Sequence, residues 1–188
     1  MISPHRSLSG PGRIAEDSRA CLFRSKAPVL SLVHVESPTE LIARPDVVML
    51  DLVANSRESA LRSLHAVLAR DPAVNDGDRL LRDMLERVMV APVCIAIDVA
   101  LPHARTTAVD RIVLGVARLK APGVGFDGEH PNVRLMFMVG TPRQQVEQYL
   151  RLVAALSRLL RMPGQRDALL AAPTESEFRA LLARGSAT

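Results

Sequence analysis

The sequence predicts an α/β fold: a single domain with a central mixed β-sheet flanked by helices on both faces. Three observations carry that expectation. Short apolar runs, VVMLDL at 47–52 and VRLMFMVG at 133–140, have the length and composition of strands. Other segments repeat their apolar residues at helical spacing. The two kinds of segment interleave along the chain, which favours a sheet covered by helices over a bundle or an all-β fold.

Taken in order, residues 1–35 mix Ser, Pro, Gly and Arg without a sustained period and are expected to form a loosely ordered extension, with the domain occupying 36–188. A short amphipathic turn at 38–43 leads into the first strand at 47–52. Asn55 and Ser56 offer N-cap oxygens to a helix over 57–69, where Ala60, Leu61, Leu64, Val67 and Leu68 share a face. Asp71-Pro72 stops it. A second helix is predicted over 78–88, with Leu80, Leu81, Met84, Leu85 and Val88 opposite a charged side. Strands are predicted at 95–101, 111–119 and 133–140, with a turn at Phe126-Asp127-Gly128-Glu129 before the last. A long helix over 144–161 carries a stripe of Val146, Leu150, Val153, Leu156 and Leu160 that should pack on the sheet. Pro163-Gly164 ends it. A short helix over 165–171 follows, and Thr174 with Glu177 signs a capping box for a final helix with Phe178, Leu181 and Leu182 facing inward.

Composition narrows the function. At 188 residues with 48% apolar side chains, the chain can bury a core without staples. Trp is absent and Tyr149 is the one tyrosine, so the stacking platforms of single-strand nucleic-acid binders are missing. The net charge of +4 is dispersed and almost wholly arginine, and no nucleic-acid partner is expected. Cys21 and Cys94 fall in no Cys/His spacing of a zinc site or disulfide framework, so no metal and no cofactor are expected. No run is long and apolar enough to insert in a membrane, and the N-terminus lacks a signal-peptide core. The expectation is a soluble, cytoplasmic protein.

The stretch that carries chemistry is Val99-Ala-Leu-Pro-His-Ala-Arg105. Pro102 fixes its own φ and pushes Leu101 toward extended backbone, so His103 is held at the mouth of a strand. A neutral imidazole with one ring nitrogen hydrogen-bonded has the other free to attack. Arg87 and Arg105 are candidate partners for an anionic group, because guanidinium binds phosphate oxygens in pairs and stays charged.

VALPHAR resembles the signature G-V-A-[IL]-P-H-[AG]-[RK] of enzyme IIA domains of the phosphotransferase system (PTS), in the mannitol/fructose/nitrogen-regulatory class (EIIA type 2). The likeness extends to VVMLDLVANSRESALRSLHAVLA, to YLRLVAALSRLLR and to DALLAAPTESEFRALL, from Ser37 to the C-terminal residue. It implies that His103 accepts a phosphoryl group from an HPr-like phosphocarrier protein. That group would pass to a IIB domain or serve as a regulatory mark read by a kinase or transporter. The family's assisting arginine lies sixteen residues before the histidine, which is Arg87 here. A chain with no IIB or IIC segment resembles a regulatory member more than a component dedicated to one sugar.

The chain also departs from the pattern. Where the family reads R-E-x-x-x-S-T-G-I-G-x-G, this chain has Val88 for Glu, Pro92-Val93 for Ser-Thr, and Cys94, Ala96 and Asp98 for the glycines. The position of a second family histidine, forty-six residues after the first, holds Tyr149. Its phenol can donate to a phosphoryl oxygen or can pack inward toward a polar neighbour. Asp98 is either a partner for the His103 ring or a solvated carboxylate. His5, His34, His65 and His130 lie in no motif and are read as tail, loop or surface residues. These departures leave a second reading open, a degenerate binding module that keeps the fold without efficient transfer.

Overall fold

The structure, a computed structural model, describes residues 37–186; the extension expected over 1–35 lies outside them, as do His5, Cys21 and His34. The short turn expected at 38–43 is a helix, α1 (Pro38–Ala43). Ser37 Oγ accepts from Glu40 N at 3.2 Å, and Glu40 Oε2 accepts from Ser37 N at 2.8 Å. Strand β1 (Val47–Leu52) falls where expected. Of the two N-cap candidates for α2 (Arg57–Leu68), Ser56 makes the cap, its Oγ accepting from Ser59 N at 3.1 Å. Asn55 supports it by accepting from the Ser59 hydroxyl at 3.1 Å. Helix α3 (Gly77–Val90) is capped by Asp76 and runs two residues past the expected end, which puts Arg87 in its last turn.

The single strand expected over 95–101 is a hairpin, β2 (Cys94–Ala96) paired antiparallel with β3 (Val99–Ala100). The apolar run continues across the reversal, so composition hid it. Asp98 anchors the turn: its carbonyl accepts from Arg134 N at 2.8 Å and Leu135 N at 2.9 Å, and its carboxylate lies 3.3 Å from Arg166 Nε. The remaining elements are β4 (His103–Thr106), β5 (Val113–Leu119), β6 (Leu135–Pro142), α4 (Val146–Arg161), α5 (Gln165–Ala171) and α6 (Glu175–Ser186). Thr174 Oγ1 accepts from Glu177 N at 3.2 Å and so caps α6, as the sequence indicated.

The mixed sheet has the order β1-β5-β6-β3-β2, with β4 also on β6. Strand β5 runs parallel to β1 and antiparallel to β6, while β3 and β4 both run parallel to β6 along one edge. Period-2 alternation divides the interior. Met136 and Met138 of β6 join Val113 and Ala117 of β5 beneath α2 and α3, whereas Leu135, Phe137 and Val139 join Leu114 and Val116 beneath α1, α4, α5 and α6. Both faces are covered, and for that reason β5 and β6 are buried throughout and read as continuous apolar runs.

The α4 stripe and His65 depart from the sequence reading, and Arg118 adds a buried charge that it did not address. The stripe expected on α4 is rotated: its buried residues are Leu152, Ala155, Leu156, Leu159 and Leu160, while Val146 and Leu150 are exposed. Two apolar stripes share Leu156 and Leu160, so periodicity could not choose between them. His65 is buried in α2 with Nε2 2.8 Å from the Gly77 carbonyl, where the helix–helix packing of α2 on α3 encloses it. Arg118, inside β5, is also buried. Its Nη2 pairs with Asp51 at 3.0 Å and its Nη1 donates to the carbonyls of Ala172 and Leu170, while its buried Nε has no partner among the described residues.

Gly140 sets the spacing near the site. A Cβ there would stand 2.9 Å from Val113 Cγ2 and 3.1 Å from Leu80 Cδ1. Only a residue without a side chain allows α3 to lie this close to the sheet beside Ala104, its partner on β4.

Candidate functional site

His103 is the first residue of β4, in register with Val139, rather than the terminal residue of the preceding strand. The break comes from Pro102, which has no N–H to donate. Leu101 N bonds to the Val93 carbonyl at 2.7 Å, and Val139 N bonds to the Pro102 carbonyl at 2.9 Å, so the two buried residues before His103 are fixed from both sides. The edge strand therefore resumes at the histidine after a two-residue interruption.

The interruption also orients the ring. His103 Nδ1 lies 3.0 Å from the Leu101 carbonyl oxygen, which can only accept, so Nδ1 carries the proton and Nε2 keeps its lone pair. Burial pushes the His103 pKa below its ordinary value; the Leu101 carbonyl pulls it up, and the Arg87 and Arg105 charges push it down further. The net direction is down. At neutral pH the ring is an uncharged nucleophile with one available nitrogen.

The structure brings the four residues singled out by sequence into one cleft of about 520 Å³: Arg87, His103, Arg105 and Tyr149 all line it. Arg87 descends from the last turn of α3, and its Nη1 is buried without a hydrogen-bond partner among the described residues. An unpartnered guanidinium nitrogen in a cleft is poised to receive an oxygen anion. Arg105 stands two residues along β4 from His103, on the same side of the strand, and is exposed. Tyr149 comes from the first turn of α4, its ring centroid 5.2 Å from that of His103 and the planes inclined by 35°. It is half-buried, and burial raises its phenol pKa while Arg87 and Arg105 oppose the shift.

Sequence reasoning did not single out Arg143, nor Asp83, Glu86 and Val90 of α3, all of which line this cleft. Arg143 lies in the connection between β6 and α4 and adds a third guanidinium to the lining. It directly follows β6 in the link to the helix that supplies Tyr149, and no local pattern in the sequence marks it. Asp98, by contrast, is held by Arg166 in the hairpin turn and is neither a partner of the His103 ring nor a freely solvated group. Cys94, which sequence spacing left without metal-ligating neighbours, lies beside Asp127 and His130 in space.

A neutral imidazole nitrogen facing guanidinium groups in an open cleft can accept a phosphoryl group, and no general acid or base is needed for that step. Residues 41–185 match the sequence model of the family described as "Phosphoenolpyruvate-dependent sugar phosphotransferase system, EIIA 2", and the chain belongs to that family. It is 30% identical over 148 residues to the PTS system fructose-specific EIIA component of Haloferax volcanii, covering 78% of this chain and 92% of that protein. It is 25% identical over 136 residues to the nitrogen regulatory protein of Pseudomonas aeruginosa, covering 72% of this chain and 88% of that one. The fold matches the crystal structure of nitrogen regulatory protein IIA-Ntr from Neisseria meningitidis with a TM-score of 0.66 at 18% identity, covering 75% of this chain and 94% of that one.

Proposed function

We propose that the protein is a phosphoryl carrier in which His103 accepts the group at Nε2 from an HPr-like phosphocarrier protein. The observation that carries this is the His103–Leu101 hydrogen bond, which leaves Nε2 as the one free ring nitrogen beside Arg87. In the transfer the donor's nitrogen–phosphorus bond breaks as the Nε2–phosphorus bond forms. The proton stays on Nδ1, donated in a hydrogen bond to the Leu101 carbonyl oxygen, and the donor imidazole leaves as the neutral ring. Arg87, with Arg105 and Arg143, offsets the charge on the phosphoryl oxygens. Exposed Val90 at the cleft and exposed Leu150 next to Tyr149 give a protein donor an apolar rim to rest on.

The group would pass to a IIB domain or stay on His103 as a regulatory mark read by a kinase or transporter. We propose a regulatory role rather than one dedicated to a single sugar; the likeness to a nitrogen regulatory protein supports it, and the likeness to a fructose-specific component is the competing observation. A cytoplasmic setting follows from a phosphoenolpyruvate-driven relay, and no described helix is long and apolar enough to cross a membrane.

The second reading, a docking module without efficient transfer, draws on Tyr149: a phenol in place of a second imidazole supplies no cation near neutral pH. One experiment separates the two. The full chain and its His103→Ala variant are incubated with phosphoenolpyruvate, enzyme I and an HPr-like carrier, and acid-labile phosphate is measured by intact mass. The carrier reading expects one phosphoryl group on the wild type and none on the variant. An unlabelled wild type, under conditions that label a control IIA domain, would leave the docking module.

A further inference from the structure

The fold assembles a second cluster of reactive side chains away from the His103 cleft. Cys94 on β2 and Asp127 and His130 on the β5–β6 connection place one sulfur, one carboxylate oxygen and one ring nitrogen within 4.8 Å of one another. Sequence separates the cysteine from the other two by more than thirty residues, so only the pairing of the hairpin against that connection unites them. We infer that Cys94, Asp127 and His130 form a binding site for a divalent transition-metal ion, with zinc the best fit.

The donor set selects the ion. A thiolate, an imidazole and a carboxylate together suit zinc, whereas magnesium and calcium prefer sites built from oxygen alone. The ligands are largely positioned before any ion arrives. Asp127 Oδ1 accepts from Glu129 N at 3.0 Å and from His130 N at 2.8 Å, folding the connection into a tight turn, and it lies 2.7 Å from His130 Nδ1. Cys94 is fixed from the other side by its pairing with Ala100. The charges also match, since one thiolate and one carboxylate neutralise a divalent cation.

The facing cation is already engaged: Arg57 donates to the Phe126 carbonyl at 2.6 Å and to Met89 Sδ at 3.4 Å. A cleft of about 430 Å³ borders Asp127 and His130, giving water access to a fourth coordination position.

The site has a mechanical link to His103. Val93, adjacent to Cys94, accepts the Leu101 N–H, and the Leu101 carbonyl holds His103 Nδ1. A bound ion would pin the hairpin to the β5–β6 connection and stiffen that support. The metal inference does not depend on the phosphoryl reading, and its assay reads metal alone.

The test is a titration of the full chain with zinc in competition with a chromophoric chelator, repeated with cobalt. One equivalent of zinc should bind at micromolar affinity or tighter, and cobalt should give a thiolate charge-transfer band. Cys94→Ser and His130→Ala should each weaken zinc by about 100-fold or more, a loss at least as large as those seen on removing outer-shell partners. Cys21→Ser should leave affinity unchanged. The inference is overturned if no stoichiometric binding occurs, if Cys94→Ser binds as the wild type does, or if Cys21→Ser abolishes binding. The cobalt spectrum of the wild type decides the question even if a variant fails to fold.

Discussion

Replacing Arg87 by alanine should slow phosphorylation of His103 by about 10- to 150-fold while leaving the fold intact. Arg87 is half-buried, and its Nη1 is enclosed without a partner, so the side chain is held ready for an anion rather than spent on internal structure. A hydrogen bond to a charged group is worth roughly 1.5–3 kcal/mol. At about 1.4 kcal/mol per factor of ten, that gives the stated range for one lost contact to the transferring group. The same change has a second signature. Arg87 is one of the charges that push the His103 pKa down, so its removal should move that pKa upward, although burial, the largest cause, remains. The slowing should therefore deepen at mildly acidic pH, where more of the ring becomes protonated. The assay is the rate of phosphoryl uptake from the carrier between pH 5.5 and 8, paired with an NMR titration of the His103 ring. Arg87→Lys should recover part of the rate, since it restores charge without the planar fork. If Arg87→Ala matches the wild type in rate and the His103 titration does not move upward, the role given to Arg87 is wrong.

Three further outcomes follow from the same geometry. Because the folded-state pKa of His103 is lowered, the unfolded chain binds more protons in the window below about 6.5, so stability is present above it and lost as pH falls. His103→Gln should flatten the acid limb of thermal stability measured by circular dichroism, and an unchanged limb would contradict the burial argument. Tyr149→His should speed phosphoryl transfer by supplying a cation near neutral pH, whereas Tyr149→Phe slows it if the hydroxyl touches the group; equal rates in all three proteins would make Tyr149 a packing residue. Gly140→Ala should destabilise the fold by about 1–3 kcal/mol, through overpacking against Val113 and Leu80, as read from denaturant midpoints; a neutral result would mean that α3 retreats without cost.

The sequence was most legible where one physical cause dominates. Val47–Leu52 and the helices α2, α3 and α5 fall within about two residues of their expected ends, and α6 starts at its expected cap. Legibility failed where two causes overlapped. The hairpin at Asp98 lay inside an apolar run that reads as one strand, and α4 offered two stripes through Leu156 and Leu160. His65 and Arg118 are polar residues whose burial depends on partners far away in sequence, a carbonyl at Gly77 and carbonyls at Leu170 and Ala172. Within the cleft, His103 was visible from Pro102 and Arg87 from its spacing. Arg143 and the Cys94 cluster needed the tertiary fold, because neither carries a local pattern.

The split edge of the sheet has one more consequence. Strand β4 has β6 as its only strand partner among the described residues, so its outer side offers backbone groups on which another chain could add as a strand. Arg105 is the one exposed residue of that short, otherwise mostly buried strand, and its charge disfavours such stacking by repulsion between copies. If Arg105 meets a phosphoryl group as proposed, one side chain would serve both the cleft and the edge. Exchanging it for an apolar side chain would trade anion affinity for colloidal risk.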